Sequence, residues 1–275
     1  MTSTRPASAP RRSSTSESAP FRERRSIAFV TAMRVTVLGC SGSFAAPETA
    51  CTGYLVQTAD KNVLLDCGPG VLANLQEHLP LERLDAVVLT HCHPDHWVEL
   101  PILCTVCTWF IERNQLPVYG TEATRAMNRA LCGGTDPAAF AWQVIDESSS
   151  VEIGSQRWRF SRTDHPVETL AVRVDADGHS FAFSADTGPG WKPNGLVDGV
   201  DLFICEASYT KKREPEGIQH LSARQAGELA RDARVGQLVL THQLPGSDVD
   251  AHAREGADAF GRPVSVAHEH VVYTV

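Results

Sequence analysis

Three histidines and an aspartate stand within six residues of one another, at His91, His93, Asp95 and His96. The apolar run of residues 86–89 before them is typical of a buried strand. Side chains alternate along an extended chain, so His91 and His93 can face the same way, and a proline then turns the chain towards Asp95 and His96. Imidazole and carboxylate ligands suit zinc or a similar ion. The sequence therefore predicts that one short loop supplies ligands to two neighbouring metal sites.

The spacing His-x-His-x-Asp-His over residues 91–96 resembles the signature of the metallo-β-lactamase superfamily. This resemblance implies an α/β fold, built as a four-layer αβ/βα metallo-β-lactamase sandwich. A weak internal repeat agrees with it. Each half of the chain has a predicted strand ending in Asp-x-Gly-Pro-Gly (66–70 and 186–190) and a later one ending in Leu-Thr-His (89–91 and 240–242). Two similar halves would share one site along their seam.

Three more residues complete the ligand set that the resemblance implies. His165, Asp186 and His242 each follow a predicted apolar strand. Asp66, at another strand end, is expected to orient the loop or a ligand histidine rather than to bind metal. The expected cofactor is two Zn²⁺, with Mn²⁺ or iron as alternatives. By resemblance, one ion takes His91, His93 and His165, the other takes Asp95, His96 and His242, and Asp186 lies between them.

A second resemblance narrows the chemistry. The segments Cys205-Glu-Ala-Ser-Tyr209 and His220-Leu-Ser222, which precede the final histidine, resemble the ribonuclease Z branch. The resemblance implies that Glu206 pairs with His220 beside the metals and that His220 protonates the leaving oxygen, a step that phosphodiesters need because an alkoxide leaves poorly. Asp95 would orient the attacking water and accept its proton. The alternative for His220 is a structural residue next to a helix-capping serine.

The chain departs from ribonuclease Z where tRNA would dock. Ribonuclease Z carries a long arm between its third-motif histidine and its bridging aspartate, whereas only 21 positions separate His165 from Asp186. The formal net charge of −8 also argues against broad attraction to nucleic acid. The basic run 211–213 could attract a single phosphate or be a solvated charge run. Docking of structured nucleic acid is therefore not expected.

From Met33 onward the chain resembles bacterial cyclic-nucleotide phosphodiesterases with the ribonuclease Z-like fold. The resemblance extends to Val37-Leu-Gly-Cys-Ser-Gly-Ser43 and Leu202-Phe-Ile-Cys-Glu-Ala-Ser208. It implies a small anionic phosphodiester as the substrate, namely a 3′,5′-cyclic nucleotide such as cAMP, cleaved to 5′-AMP. The alternatives are a tRNA 3′-processing nuclease, a lactonase, thioesterase or arylsulfatase, and a metal-stabilised scaffold without activity. The sequence leaves the oligomeric state open, and a homodimer is the form common in this branch.

The composition of the 275 residues sets outer bounds. Hydrophobic residues make up 42% of the chain, enough for a sizeable core, and no apolar run approaches the roughly 20 residues that span a bilayer. Residues 1–32 contain six arginines and no apolar segment typical of a secretory signal. We expect residues 1–32 to be a disordered tail or to follow a start codon placed upstream of the real one. Residues 33–275 are expected to form the hydrolase domain. The eight cysteines fit a protein of the reducing cytoplasm. Cys104-x-x-Cys107, a lone pair of this kind, is expected to be structural, with metal or redox chemistry as the alternative.

The pattern of apolar residues also predicts the elements that position these side chains. The segment 133–150 is expected to be rich in loops. Helices are predicted over 69–78, 96–109, 122–131 and 222–232, and strands over 34–38, 53–58, 62–66, 86–89, 118–120, 156–162, 169–174, 180–184, 202–205, 237–240 and 268–274.

Overall fold

The computed structural model describes residues 32–214 and 219–275. The interpretation of the N-terminal segment therefore falls almost wholly outside the described residues and stays a prediction. Within these described residues, six α-helices occupy Val71–Gln76 (α1), Pro94–Trp97 (α2), Leu100–Trp109 (α3), Glu122–Leu131 (α4), Ala223–Asp232 (α5) and Val249–Phe260 (α6). None of these helices is long and apolar enough to cross a membrane.

Fourteen strands form two seven-stranded sheets in the described chain. The first sheet has the order β14-β1-β2-β3-β4-β5-β6 and the second has the order β13-β12-β11-β10-β9-β8-β7. The strands are Arg34–Gly39 (β1), Gly53–Gln57 (β2), Asn62–Leu65 (β3), Ala86–Val88 (β4), Leu116–Gly120 (β5), Phe140–Val144 (β6), Ser150–Ile153 (β7), Gln156–Arg162 (β8), Leu170–Ala176 (β9), His179–Phe183 (β10), Leu202–Glu206 (β11), Gln237–Thr241 (β12), Ser265–Val266 (β13) and Val272–Thr274 (β14).

Three apolar cores show how the layers stack. The central core joins side chains of both sheets, such as Tyr54 of β2 and Phe183 of β10, whose ring centroids lie 5.0 Å apart. A second core packs the first sheet against α1 and α3, and a third packs the second sheet against α5 and α6. The order helix, sheet, sheet, helix is the predicted four-layer αβ/βα sandwich, which is confirmed.

Both sheets are mixed, and their parallel strands determine where the site lies. Strands β3 to β6 run parallel in the first sheet, and β10 to β13 run parallel in the second. Loops that follow neighbouring parallel strands leave the same edge of a sheet. The loops after β3 and β4 therefore meet those after β10, β11 and β12, and most of the predicted site residues lie in these loops.

Several element predictions need correction. The helix expected over 96–109 is two helices, α2 and α3, separated where Glu99 turns back to accept hydrogen bonds from the backbone of Gly70 and Leu72. The region expected as loops contains β6, which pairs with β5 on the other side of α4, and the start of β7, which pairs with the following strand β8. Helix α6 was not predicted, and the closing strand is shorter than expected because residues 268–271 form a turn.

Candidate metal centre

The predicted ligands come from both halves of the chain and meet at one place. His91 and His93 follow β4, and His96 lies on α2, which begins with a proline that favours helix initiation. Asp186 follows β10, and His242 follows β12. His165 joins them from the end of the antiparallel strand β8. The seam between the two sheets therefore gathers ligands that lie up to 151 positions apart in the sequence.

The ligand atoms form two groups, each within 4.8 Å. Within the first, Nδ1 of His93 lies 3.0 Å from Nε2 of His165. Within the second, Nε2 of His242 lies 3.3 Å from Oδ2 of Asp95. These are the two sets that the resemblance implies. The first group is His91, His93, His165 and Asp186, and the second is Asp95, His96 and His242.

Asp186 faces both groups, one carboxylate oxygen to each. Its Oδ2 lies 3.6 Å from Nε2 of His91 and 3.8 Å from Nε2 of His165. Its Oδ1 lies 3.2 Å from Nε2 of His96 and 3.3 Å from Nε2 of His242. Ligands of one tetrahedral ion with bonds of about 2.0–2.2 Å lie about 3.4 Å apart, so this geometry suits a carboxylate bridging two ions.

Unpaired buried atoms show that the residues fit a metal ion. Nε2 of His91, Nε2 of His96 and Oδ1 of Asp186 are inaccessible to solvent and have no hydrogen-bond partner among the described residues. Such groups are costly to bury unpaired. All three face the interior of the ligand groups. Metal ligation would satisfy each of them, and the nitrogen and oxygen donors match those of zinc and related ions.

The opposite ring nitrogens of the ligand histidines are held from behind. Nδ1 of His96 lies 2.7 Å from Oδ2 of Asp66, and Nδ1 of His242 lies 3.0 Å from Oγ of Ser208. His91 and His165 make similar contacts through Nδ1, to the hydroxyl of Thr90 and to the carbonyl of Gln219. Partners of this kind orient the ring and select the tautomer whose Nε2 lone pair faces the metal. Asp66 thus contacts a ligand histidine and belongs to neither ligand group.

The charges of the ligands are set by burial and by their neighbours. Burial lowers the pKa of His91 well below its ordinary value and also lowers the pKa of His93 and His165. Burial alone would raise the pKa of Asp186, but the adjacent His242 and His96 hold it well below its usual range. Neutral imidazoles and ionised carboxylates are the forms that bind metal.

His96 differs from the other ligand histidines. Burial disfavours its charged form, but the carboxylates of Asp186 and Asp66 outweigh burial and raise its pKa well above the ordinary value. The shift therefore favours the protonated form of His96, whose Nδ1 faces Asp66 and whose Nε2 faces Asp186. Metal binding must displace that proton, so it releases protons to the solvent.

The backbone is strained where it presents these side chains. Asp66, Ala185 and His242 have φ angles of 60°, 51° and 62°, in the left-handed region that residues other than glycine rarely adopt. Gly42 packs so closely that a β-carbon there would lie 2.5 Å from the carbonyl oxygen of His242. These left-handed φ angles turn the chain sharply where the strands end.

Glu206 and His220 meet beside the ligand groups. Oε1 of Glu206 lies 2.9 Å from Nδ1 of His220, whose side chain is 22% exposed. A ring nitrogen of His220 lies within 4.8 Å of ligand atoms of Asp186 and His242. Burial would lower the pKa of His220, but the charge and hydrogen bond of Glu206 raise it to about 9. His220 is therefore a protonated imidazole at neutral pH, next to the reaction centre.

Two supporting groups were not singled out from the sequence. The backbone N–H of Ser43 donates to Oδ2 of Asp95 at 2.9 Å. The hydroxyl of Ser208 contacts both Glu206 and His242. Neither has a sequence signal of its own, because each acts through its position in the fold. Cys104 and Cys107 lie on α3 and join none of the ligand groups found among the described residues, and burial raises the pKa of the Cys107 thiol.

Comparison with known proteins agrees with this geometry. Residues 61–243 match the profile described as the Beta-lactamase superfamily domain. The chain belongs to the metallo-β-lactamase superfamily. It is a metal-dependent hydrolase of that superfamily, since it is 32% identical to the probable metallo-hydrolase YhfI of Bacillus subtilis over 88% of this chain and 99% of that protein.

One solved structure and one further relative are also similar to this chain. The crystal structure of the metallo-beta-lactamase fold protein YhfI from Bacillus subtilis superposes with a TM-score of 0.81 at 29% identity, covering 89% of this chain and 99% of that one. The ribonuclease Z of Mycobacterium bovis is 28% identical over 78% of this chain and 86% of that protein. The predicted placement in the ribonuclease Z-like part of the superfamily is therefore confirmed.

Proposed function

We propose that this metallo-hydrolase cleaves phosphodiesters, and specifically that it opens the 3′,5′ ring of cyclic nucleotides such as cAMP to give 5′-AMP. The pairing of His220 with Glu206 beside the ligand groups carries the proposal. An alkoxide leaving group, such as the ribose oxygen of a phosphodiester or the ring oxygen of a lactone, needs a proton donor at that place, whereas the thiolate of a thioester and the phenoxide of an aryl sulfate need little protonation. The likeness to ribonuclease Z, a protein named for cleaving RNA, supports phosphodiester chemistry.

We further propose that the cofactor is two Zn²⁺, one in each ligand group, with Asp186 bridging. Zinc bound there would lower the pKa of a water molecule and offset the negative charge on the phosphate. Mn²⁺ and iron accept the same ligands and remain alternatives. The division of the Asp186 oxygens between the two groups supports this stoichiometry.

The protein's own side chains divide the proton transfers between them. Nδ1 of His220 donates to Glu206, and because the ring is protonated at neutral pH, Nε2 also holds a proton, which goes to the departing ribose O3′. Asp95, whose pKa is lowered by its histidine neighbours against the effect of burial, is ionised and can orient the attacking water and accept its proton. The N–H groups of Thr187 and Leu221 donate to Glu206 and keep its carboxylate aimed at His220.

The short path from His165 to Asp186 favours a small substrate. Between these two ligands the chain forms only β9 and β10, joined by the turn Asp177–Gly178. No segment in this stretch could reach the body of a tRNA. A cyclic mononucleotide needs no such contact, because the whole molecule is only one nucleoside attached to the scissile phosphate.

Turnover of 3′,5′-cAMP by the zinc- or manganese-loaded protein, with unprocessed tRNA run alongside, tests the proposal. Formation of 5′-AMP with the tRNA intact is the expected result. Cleavage of the tRNA 3′ trailer without nucleotide turnover would support the second candidate, a tRNA 3′-processing nuclease, which the ribonuclease Z likeness favours. Metal retention without turnover of either substrate, but with turnover of lactones, thioesters or aryl sulfates, would contradict both candidates.

Two predictions about the whole protein remain. We expect a homodimer, which analytical ultracentrifugation of the metal-loaded protein would detect as a species of twice the chain mass. We also expect the reducing cytoplasm as its location. All eight cysteines are free thiols, which agrees with that compartment.

A further inference from the structure

The loop between β1 and β2 brings one aromatic side chain to the metal centre that the mechanism above does not use. Phe44 is 58% exposed. The preceding residue, Ser43, donates its N–H to Oδ2 of Asp95. Covalent geometry then limits Cα of Phe44 to within about 8 Å of that ligand oxygen. The backbone of this exposed phenylalanine therefore lies close to a ligand of the centre, within reach of the part of a substrate that extends beyond its reacting phosphate.

The backbone that carries Phe44 is held in one conformation. The N–H of Phe44 donates to the carbonyl of Gly42 at 2.7 Å, and Ser43 between them has a φ of 64°. This is a γ-turn with a positive central φ, a rare and strained form. Neighbouring groups keep it in place, because the hydroxyl of Ser41 donates to the carbonyl of Phe44 at 2.8 Å and the N–H of Gly42 donates to the carbonyl of Gln243 at 3.0 Å.

A strained turn held from several sides is typical of a functional site. Here the backbone is fixed while the ring it presents stays open to solvent. A rigid aromatic face suits the stacking of a flat, apolar group, and every nucleobase offers such a face. On the proposed activity, the phosphate of a cyclic nucleotide would bind at the ligand groups, and its nucleoside would extend outwards from there.

We propose that Phe44 is the surface on which the nucleobase of the substrate stacks, an inference that rests on the proposed cyclic-nucleotide activity. Phe44 positions the substrate and takes no part in the proton transfers. Stacking alone does not distinguish one base from another. The enzyme should therefore accept cAMP and cGMP with similar efficiency, and both should depend equally on Phe44.

Phe44→Ala tests the proposal against a substrate that lacks the base. Loss of one stacked base corresponds to a fall of about 5- to 150-fold in kcat/KM. We expect this fall for cAMP, mainly as a higher KM. Hydrolysis of methyl riboside 3′,5′-cyclic phosphate should keep its rate. Phe44→Trp should preserve cAMP turnover, whereas Phe44→Leu should not, since it retains apolar volume without an aromatic face.

Phe110→Ala is the matched control, because Phe110 is an exposed phenylalanine (76%) at the end of α3, outside the loops that form the centre. It should leave both substrates unaffected. If Phe44→Ala lowered kcat/KM equally for cAMP and for the substrate that lacks a base, Phe44 would only support the loop. That result would overturn the proposal. An unchanged KM for cAMP would also overturn it.

Direct binding separates this inference from the proposed function. Calorimetry compares 5′-AMP with ribose 5-phosphate on the metal-loaded wild type and on Phe44→Ala. The wild type should bind 5′-AMP more tightly, and the variant should lose that preference. A preference for 5′-AMP that survives in Phe44→Ala, or none in the wild type, would overturn the inference. A wild type that shows the preference without turning over cyclic nucleotides would contradict the activity alone.

Discussion

Oδ2 of Asp66 lies 2.7 Å from Nδ1 of His96, and neither side chain is exposed to solvent. Asp66 also accepts hydrogen bonds from the N–H and the hydroxyl of Thr90, which precedes the first ligand histidine. One buried carboxylate thus supports the start of the ligand loop and a ligand on α2. Asp66 can make both contacts because it follows β3, which lies next to β4 in the sheet.

Asp66→Asn should weaken metal binding without removing a ligand. The amide can still accept a hydrogen bond, but it lacks the charge that makes His96 a stronger donor to the metal. Loss of such a partner typically costs 10- to 100-fold in metal affinity. Competition with a chelator, followed by metal analysis, measures the change. The exposed Asp198→Asn should bind metal like the wild type, and unchanged affinity of Asp66→Asn would contradict the role.

Asp186→Ala should lower the metal content as well as the rate. Its two oxygens face different ligand groups, so its removal should weaken both sites. We expect fewer than two ions per chain after desalting, measured by plasma mass spectrometry, with circular dichroism to show that the variant folds. Retention of two ions would remove Asp186 from the bridging position.

His220→Ala should act on the leaving group. Turnover of cAMP, which expels an alkoxide, should fall by about 10²- to 10⁴-fold. Turnover of bis(p-nitrophenyl) phosphate should change little, because its phenoxide leaves without a proton. Steady-state rates of both substrates on the same preparation make the comparison. Equal losses on the two substrates would contradict the proton-donor role.

The pH profile should follow the Glu206–His220 pair. With its pKa raised to about 9, His220 donates a proton below that pH, so the rate on cAMP should fall as the pH rises through about 9. Glu206→Gln removes the charge that raises this pKa and should move the alkaline limb to lower pH. Glu228→Gln, which changes a partly exposed carboxylate paired with Arg224 on α5, should leave the profile in place, and an unmoved limb in Glu206→Gln would contradict the pairing.

The same pKa shift has a consequence for stability. The folded-state pKa of His220 lies above its ordinary value of 6.5, so protonation favours the folded state. That contribution is complete below about pH 6.5 and is lost as the pH rises towards about 9. Denaturant unfolding of the wild type at several pH values, compared with His220→Ala, should show this loss only in the wild type.

The sequence by itself identified the candidate ligand residues, their order and the strands that end at them. Local patterns are sufficient for this, because ligand spacing and apolar periodicity are properties of short segments. The bounds of β8 and α4 match the prediction for the same reason. Helix α6 was missed although it has local signals, since Asp248 caps its N-terminus and Gly261 ends it in a left-handed conformation. Gly227 of α5 and Gly256 of α6 let the two helices approach so closely that a β-carbon on Gly227 would lie 2.5 Å from the Gly256 carbonyl.

The tertiary structure alone decided how the ligands divide and what supports them. The two oxygens of Asp186 face different histidines, and this division depends on how the two sheets meet along their edges. The distance between Glu206 and His220, 14 positions apart, depends on the path of the chain between β11 and α5. Phe44 had no signal of its own. Its significance comes from the backbone contact of Ser43 with Asp95, which joins residues 52 positions apart and is visible only when the chain is folded.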